Sequence, residues 1–324
     1  MKILVTGGTG FVGTHLCRAL CGQGHKVIVF HRPTSYLNGI ADLPLQRVVG
    51  DLTDEPSVQK AMELRPEVVY HLGAQMTVGN LSNRLTNVNV YGTRLVLRAA
   101  GQFGVNRVVL MSSALTMGIP DLYRGGEISR IDETHPFTGD KSDWAFAYTK
   151  YRAEQEAQPL TAEGLDVVTV NPFMIIGSGD YYRRSSSILQ QLRRRPPLVN
   201  APGGLNLLPV QDAVAGLLGA CRYGQRGERY LLCGKNLTIS EFLRMVSETA
   251  GFSPPRLTIS DAHLIAALAR VHTVLYPSES NIYRLLNRWF YYNPAKSRLQ
   301  LHLPPLSDVS ESIREAYRWF EEQK

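Results

Sequence analysis

The residues Thr6-Gly7-Gly8-Thr9-Gly10-Phe11-Val12-Gly13 carry glycines at a spacing that can receive a pyrophosphate. Glycine at 7 permits a tight turn, Gly10 lets the backbone approach the phosphates, and Gly13 lets a helix pack closely on a strand. A four-residue run, Ile3 to Thr6, precedes the turn, and Phe11 and Val12 open an amphipathic stretch with Leu16, Ala19 and Leu20 on one face. The N-terminus of such a helix presents free N–H groups and the positive end of its dipole to an anion. A lone pattern of this kind is also an ordinary strand-to-helix turn. The preceding strand, the following helix and Gly50-Asp51-Leu52 two strands later together favour a dinucleotide. The second strand closes as Val29-Phe30-His31-Arg32, without the Asp or Glu that usually holds a ribose. A carboxylate there would repel a 2′-phosphate, whereas Arg32 could pair with one, so NADP is favoured and NAD stays open.

The elements that must position this turn are legible as a rhythm. Short β-branched runs at Ile3 to Thr6, Val27 to Phe30, Gln46 to Val49, Val68 to His71, Arg107 to Ser112 and Val167 to Asn171 alternate with helical patterns. That alternation predicts an α/β fold, a Rossmann doubly wound parallel sheet with a smaller, mainly helical C-terminal substrate lobe. The expected division is 1–177 and 205–235 for the cofactor half, with 178–204 and 236–324 for the substrate lobe. A helical region is expected from Ser260 to Tyr292, where Leu264, Ile265, Leu268, Val271, Leu275, Ile282, Leu285, Leu286, Trp289 and Phe290 recur. It reads equally as a packed lobe and as the wall of an apolar pocket.

Composition narrows the classes further. The chain has 324 residues, 44% hydrophobic and 19% charged, which describes a globular protein and not a disordered one. No apolar run is long enough to span a bilayer and no leader pattern opens the chain, so a cytoplasmic protein is expected. Cys17, Cys21, Cys221 and Cys233 form no C-x-x-C pair, and reduced thiols are expected. The net charge of +7 suits an anionic ligand. Arg193, Arg194 and Arg195 could touch nucleic acid, but without basic and aromatic residues interleaved no nucleic-acid partner is expected. The eight histidines show no ligand spacing, and no metal is expected.

Taken together, T-G-G-T-G-F-V-G at 6–13, G-D-L-T-D at 50–54, H-L-G-A at 71–74, N-V-Y-G-T at 89–93, S-S-A at 112–114, T-K-Y-R-A-E at 149–154, N-P-F-M-I-I-G at 171–177 and L-P-V-Q-D-A-V at 208–214 resemble the extended short-chain dehydrogenase/reductase family. The resemblance implies that Ser113 orients the substrate oxygen. It implies that Lys150 holds the nicotinamide ribose and lowers the pKa of a tyrosine, and that Asn89 supports a proton-relay water. By the same resemblance Asp51 and Leu52 lie by the adenine, Leu72, Gly73 and Ala74 along the cofactor, and Pro172, Phe173 and Met174 near the carboxamide. It also implies a homodimer built on the helices near 89–102 and 143–157.

One position departs from the family pattern Tyr-x-x-x-Lys: counting back four residues from Lys150 lands on Phe146. Residues four apart share a helix face. Tyr148 is turned about 200° from Lys150 and Tyr151 is also displaced, so neither substitutes. Pairing Tyr148 with Arg152 instead would strip Thr149, Lys150 and Glu154 of their family positions, and arginine does not release its proton. Three readings stand: a deliberate Tyr-to-Phe change, which comes first; an acid drawn from Tyr123, Tyr181 or a water on Ser113; and cofactor binding without turnover.

For the substrate, sugar-nucleotide members of the family carry an arginine on the diphosphate where this chain reads Leu205-Asn206-Leu207-Leu208-Pro209-Val210. An apolar ketone or alcohol of sterol, terpenoid or aromatic type is therefore expected, as in members resembling dihydroflavonol reductases and 3β-hydroxysteroid dehydrogenases. Arg183, Arg184 and Arg193 to Arg195 could instead grip an anion, which keeps a nucleotide-sugar epimerase as runner-up. A non-catalytic NADP-binding regulator is the third class.

Overall fold

The structure is a computed structural model, and it describes all residues except 77–80, 124, 183–187, 198, 260, 262–263, 266, 268–284 and 324. The chain begins with β1 (Lys2–Thr6), α1 (Phe11–Gly22), β2 (Lys26–His31), β3 (Gln46–Val49), α2 (Glu55–Met62) and β4 (Val68–His71). It continues through α3 (Asn83–Thr86), α4 (Gly92–Gln102), β5 (Arg107–Met111), α5 (Ala145–Ala162), β6 (Val167–Pro172), β7 (Met174–Ile176) and α6 (Ile188–Arg194). Next come β8 (Val199–Asn200), β9 (Gly204–Pro209), α7 (Val210–Tyr223), β10 (Arg229–Leu232), β11 (Lys235–Thr238), α8 (Ile239–Ala250) and β12 (Leu257–Thr258). Helices Ala295–Gln300 and Val309–Glu322 follow toward the C-terminus.

Seven strands form one sheet in the order β10-β6-β5-β4-β1-β2-β3, and every pairing in it is parallel. The period of two divides each strand between the layers. Ile3 and Val5 face α1 and α7 with Leu16, Leu20, Ala213 and Leu217, while Leu4 faces α2, α4 and α5 with Val58, Val96 and Ala157. A sheet buried on both faces needs runs as apolar as Val167–Pro172, all six of whose residues are buried. From β1 the chain runs outward to β2 and β3, then crosses back to β4, β5 and β6. The order therefore reverses between β1 and β4, and a crevice opens there at the strands' C-terminal ends.

A smaller sheet, β11-β9-β7, carries a second core. Ile176, Leu205 and Leu207 from it pack with Leu189, Phe242, Val246, Ile313 and Ala316 of α6, α8 and Val309–Glu322. A reciprocal Thr238/Glu241 capping box starts α8, and Gly251 ends it at φ 73°.

The six strands expected from sequence coincide with β1 to β6 to within a residue or so at each end. The seventh, β10 (Arg229–Leu232), is not among the expected strands. The expectation of a helical region from Ser260 to Tyr292 is corrected at its end. Asn287, at φ 55°, turns the chain, after which Trp289 bridges Gly204 and Tyr292 bridges Ile131. Backbone bonds from Asn287 N to Pro202 O (2.7 Å) and from Phe290 N to Gly204 O (2.9 Å) override the helical spacing. Ser260, Leu268, Val271, Leu275 and Ile282 lie outside the described residues. No helix among the described residues is long and apolar enough to cross a membrane.

Candidate functional site

The glycine turn sits where β1 and β4 diverge. Gly7 has φ 71°, and a Cβ added there would meet Gly73 N at 2.7 Å and Leu72 C at 2.8 Å. A Cβ on Gly13 would lie 2.1 Å from Gly7 O, so helix and turn touch backbone to backbone. Gly10 donates its N–H to Gly7 O (2.9 Å) and caps α1 without a side chain. The first-turn amides of Phe11, Val12 and Gly13 thus have no side-chain acceptor from the cap, and the turn has no acidic residue. These features fit a pyrophosphate.

On the adenosine side, His31 is buried with Nδ1 donating to Arg32 O (2.9 Å), and Arg32 itself is exposed. Asp51 Oδ1 accepts from Thr53 N (2.9 Å) and Thr53 Oγ1 (2.8 Å), which shapes the loop after β3. The Leu52 side chain fills the space a Gly73 Cβ would take, 2.8 Å away. Leu72 is half-buried and Ala74 exposed along the same edge.

A directional chain of hydrogen bonds runs beneath. Gly73 N donates to Thr6 Oγ1 (3.1 Å), Thr6 Oγ1 donates to His71 Nδ1 (2.7 Å), His71 Nε2 donates to Thr93 Oγ1 (2.9 Å), and Thr93 Oγ1 donates to Asn89 O (2.7 Å). Only a neutral His71 closes that chain. Burial, with the positive charge of Lys150 added, lowers its pKa to about 3. Asn89 lies in a π-helical turn, Asn87–Tyr91, that faces it inward. Its Oδ1 accepts from Gln75 N (2.7 Å), and its Nδ2 donates to Gln75 O (3.0 Å) and Thr149 Oγ1 (3.0 Å). Thr149 Oγ1 in turn donates to Phe146 O (2.9 Å). Asn89 therefore fastens α5 at the turn that carries Phe146 and Lys150.

Ser113 caps a short 3-10 turn, Ala114–Met117, with Oγ accepting from Leu115 N (3.3 Å). Lys150 is buried, and its Nζ donates to Met111 O (2.6 Å), two residues before Ser113. Burial lowers the Lys150 pKa to about 8, against the pull of Glu154. Phe146 stands half-buried one turn before Lys150. The other phenols considered from sequence have partners elsewhere. Tyr148 Oη accepts from Arg152 (3.3 Å), and Tyr151 stacks on Phe137 at 4.6 Å. Tyr123 Oη donates to Gly126 O (3.0 Å), and Tyr181 lies between Tyr36 (5.1 Å) and Trp319 (5.0 Å).

Beyond the buried end of β6, Pro172 leads into Phe173, whose ring stacks on Phe290 at 5.3 Å and meets Tyr292 at 5.0 Å; Met174 follows, half-buried. Trp144 lies 6.0 Å from Phe290, giving an aromatic wall beside the start of α5. Arg193 pairs with Glu321 and lies 5.3 Å over Tyr317, which draws it to the C-terminal helix; Arg183 and Arg184 lie outside the described residues.

Sequence reasoning missed four residues that surround this site. Glu154 Oε1 accepts from Thr116 Oγ1 (2.7 Å) and Asn171 Nδ2 (2.7 Å), and Arg229 Nε lies 3.0 Å from Glu154 Oε2. The spacing Lys150-x-x-x-Glu154 was the available signal; nothing in sequence joins it to Thr116, Asn171 or Arg229.

Residues 3–232 match the NAD dependent epimerase/dehydratase family. The chain belongs to that family, among the extended short-chain dehydrogenases/reductases, which are NAD(P)-dependent oxidoreductases. It is 33% identical to sterol demethylase protein B of Methylococcus capsulatus over 100% of this chain and 99% of that one. It is 26% identical to 3 beta-hydroxysteroid dehydrogenase/Delta 5-->4-isomerase of Mycobacterium tuberculosis over 98% of this chain and 90% of that one. UDP-glucose 4-epimerase of Thermotoga maritima shares the fold at a TM-score of 0.79 and 19% identity, covering 100% and 99% of the two chains.

Proposed function

We propose that this chain is an NADP-preferring oxidoreductase, able to use NAD, that interconverts a secondary alcohol and a ketone on an apolar, sterol-, terpenoid- or aromatic-type substrate. The observation that carries the reading is the Lys150–Met111 contact, which ties a buried ammonium on α5 to the end of β5, two residues before Ser113. The nicotinamide, when bound, supplies or accepts the hydride. Gly7, Gly10 and Gly13 seat the pyrophosphate, with Phe11 and Val12 offering first-turn amides; Arg32 meets the 2′-phosphate. Asp51 and Leu52 flank the adenine, Leu72 to Ala74 line the path, and Pro172 to Met174 border the carboxamide. Lys150 holds the ribose, Ser113 orients the substrate oxygen, and Asn89 keeps the turn of α5 in place. Phe146 preserves the packing of a ring and offers no proton, so turnover is slow and rises when a phenol is restored there.

The apolar substrate is supported by the Trp144–Phe173–Phe290–Tyr292 wall and by fully buried β9, where a diphosphate-binding arginine would stand. It is supported also by the names of the sterol- and steroid-acting relatives. By this reading the cofactor half is 1–177 with 205–235 and the substrate lobe 178–204 with 236–324, the wall drawing Trp144 and Phe173 from the first and Phe290 and Tyr292 from the second, and a cytoplasmic homodimer through α4 and α5 completes the reading. The family description itself keeps a nucleotide-sugar epimerase as the second reading. Thermal shifts in the NADP complex separate the two: sterol or aromatic ketones raise the melting temperature and UDP-sugars do not, and the reverse pattern selects the epimerase.

A further inference from the structure

Three elements converge on the carboxylate of Glu154, which lies one turn beyond Lys150 on the same buried side of α5. Thr116 Oγ1 and Asn171 Nδ2 donate to its Oε1, each at 2.7 Å, from the 3-10 turn Ala114–Met117 and the end of β6. Arg229 of β10 lies beside its Oε2, and Arg229 Nη2 donates to Thr116 O at 3.2 Å. Asn171 Nδ2 also donates to Ser113 O (3.2 Å), so the group that fixes this carboxylate also fixes the Ser113 turn. One buried carboxylate thus faces two cations, Arg229 and Lys150, and its charge is shared between them in a low-dielectric region. The charged and titratable groups acting on Lys150 are Glu154 on its own helix, Arg229 from β10 acting through Glu154, and His71 from β4, which is neutral.

We infer that Glu154 is a positioning residue: it is the counter-charge that keeps Lys150 an ammonium beside Ser113, with Arg229 setting how much of that charge Lys150 receives. The inference rests on the cofactor reading only for its consequence, that NADPH is held by a protonated Lys150. The electrostatic part stands on the apo chain.

The decisive experiment is a pH titration of the full chain with ¹³Cε-labelled lysine, Lys150 being assigned by the signal lost in Lys150→Arg. Glu154→Gln removes the negative charge and should lower the Lys150 midpoint by about one pH unit; Arg229→Gln frees the carboxylate and should raise it by a similar amount. Both changes break the same pair, so a purely structural role lowers thermal stability in both and moves neither midpoint, or moves both in one direction. Either result overturns the inference. Should a single variant fail to fold, Glu154→Gln/Arg229→Gln keeps the cavity filled and neutral, and its midpoint should fall near the native one; a displaced midpoint contradicts the inference. NADPH affinity against pH is measured in parallel on the same proteins. If the lysine midpoints split as expected while NADPH affinity ignores them, the inference stands and the role given to Lys150 in cofactor binding fails.

Discussion

Lys150 Nζ donates to the carbonyl of Met111 at 2.6 Å, tying α5 to the end of β5 two residues before Ser113. That contact joins the helix that carries the ammonium to the strand end that leads into Ser113, 37 positions earlier in the chain. Phe146, one turn earlier on α5, lies on the same side of the helix and supplies a ring without a hydroxyl.

Phe146→Tyr should raise the rate of NADPH-dependent reduction of an apolar ketone by about 10²-fold or more, the usual worth of a positioned proton donor. Steady-state kinetics on the native chain and the variant checks this. An unchanged rate would mean that the site's proton comes from elsewhere or that the chain does not turn over.

Arg32 is the exposed side chain that follows β2, whose last residue, His31, is buried. Arg32→Ala should weaken NADPH by about 1.5–3 kcal/mol, roughly ten- to a hundredfold, by removing a charge-assisted contact, and should leave NADH binding nearly unaltered. Fluorescence titrations of both nucleotides measure the ratio. Equal losses for the two would place the 2′-phosphate away from Arg32.

His71 carries the chain from Gly73 to Asn89 only as a neutral ring. Its pKa in the folded protein, about 3, lies below the ordinary value of 6.5. The unfolded chain therefore binds the extra proton first, so His71 contributes its full stabilisation above pH 6.5 and loses it as pH falls toward 3. In His71→Gln, which keeps hydrogen-bonding capacity without titrating, stability should fall less steeply between pH 6.5 and 3 than in the native chain. Urea unfolding at a series of pH values reads the difference; parallel curves would show that the ring is charged in the folded state.

Much of this was written locally in the chain. The glycine turn, the six strands β1 to β6 and the Phe146/Lys150 spacing depend on period, turn chemistry and neighbours within a few residues, and all can be read from sequence. Glu154, Thr116, Asn171 and Arg229 meet only because β5, β6, β10 and α5 are adjacent in space. The expected helical region fails toward Tyr292 for the same reason: Pro202 and Gly204 offer the backbone groups that capture Asn287, Arg288 and Phe290, and helical spacing of apolar residues cannot register that competition.

The most direct test of the whole account is a melting curve of the native chain with NADP and NAD, each carried to millimolar concentration, beside Gly13→Ala, whose Cβ would sit 2.1 Å from Gly7 O. Stabilisation by about 2.7 kcal/mol is expected when NADP reaches a hundred times its dissociation constant, with little or none in the variant. A native chain whose melting temperature ignores both nucleotides would contradict the assignment of this turn to a dinucleotide.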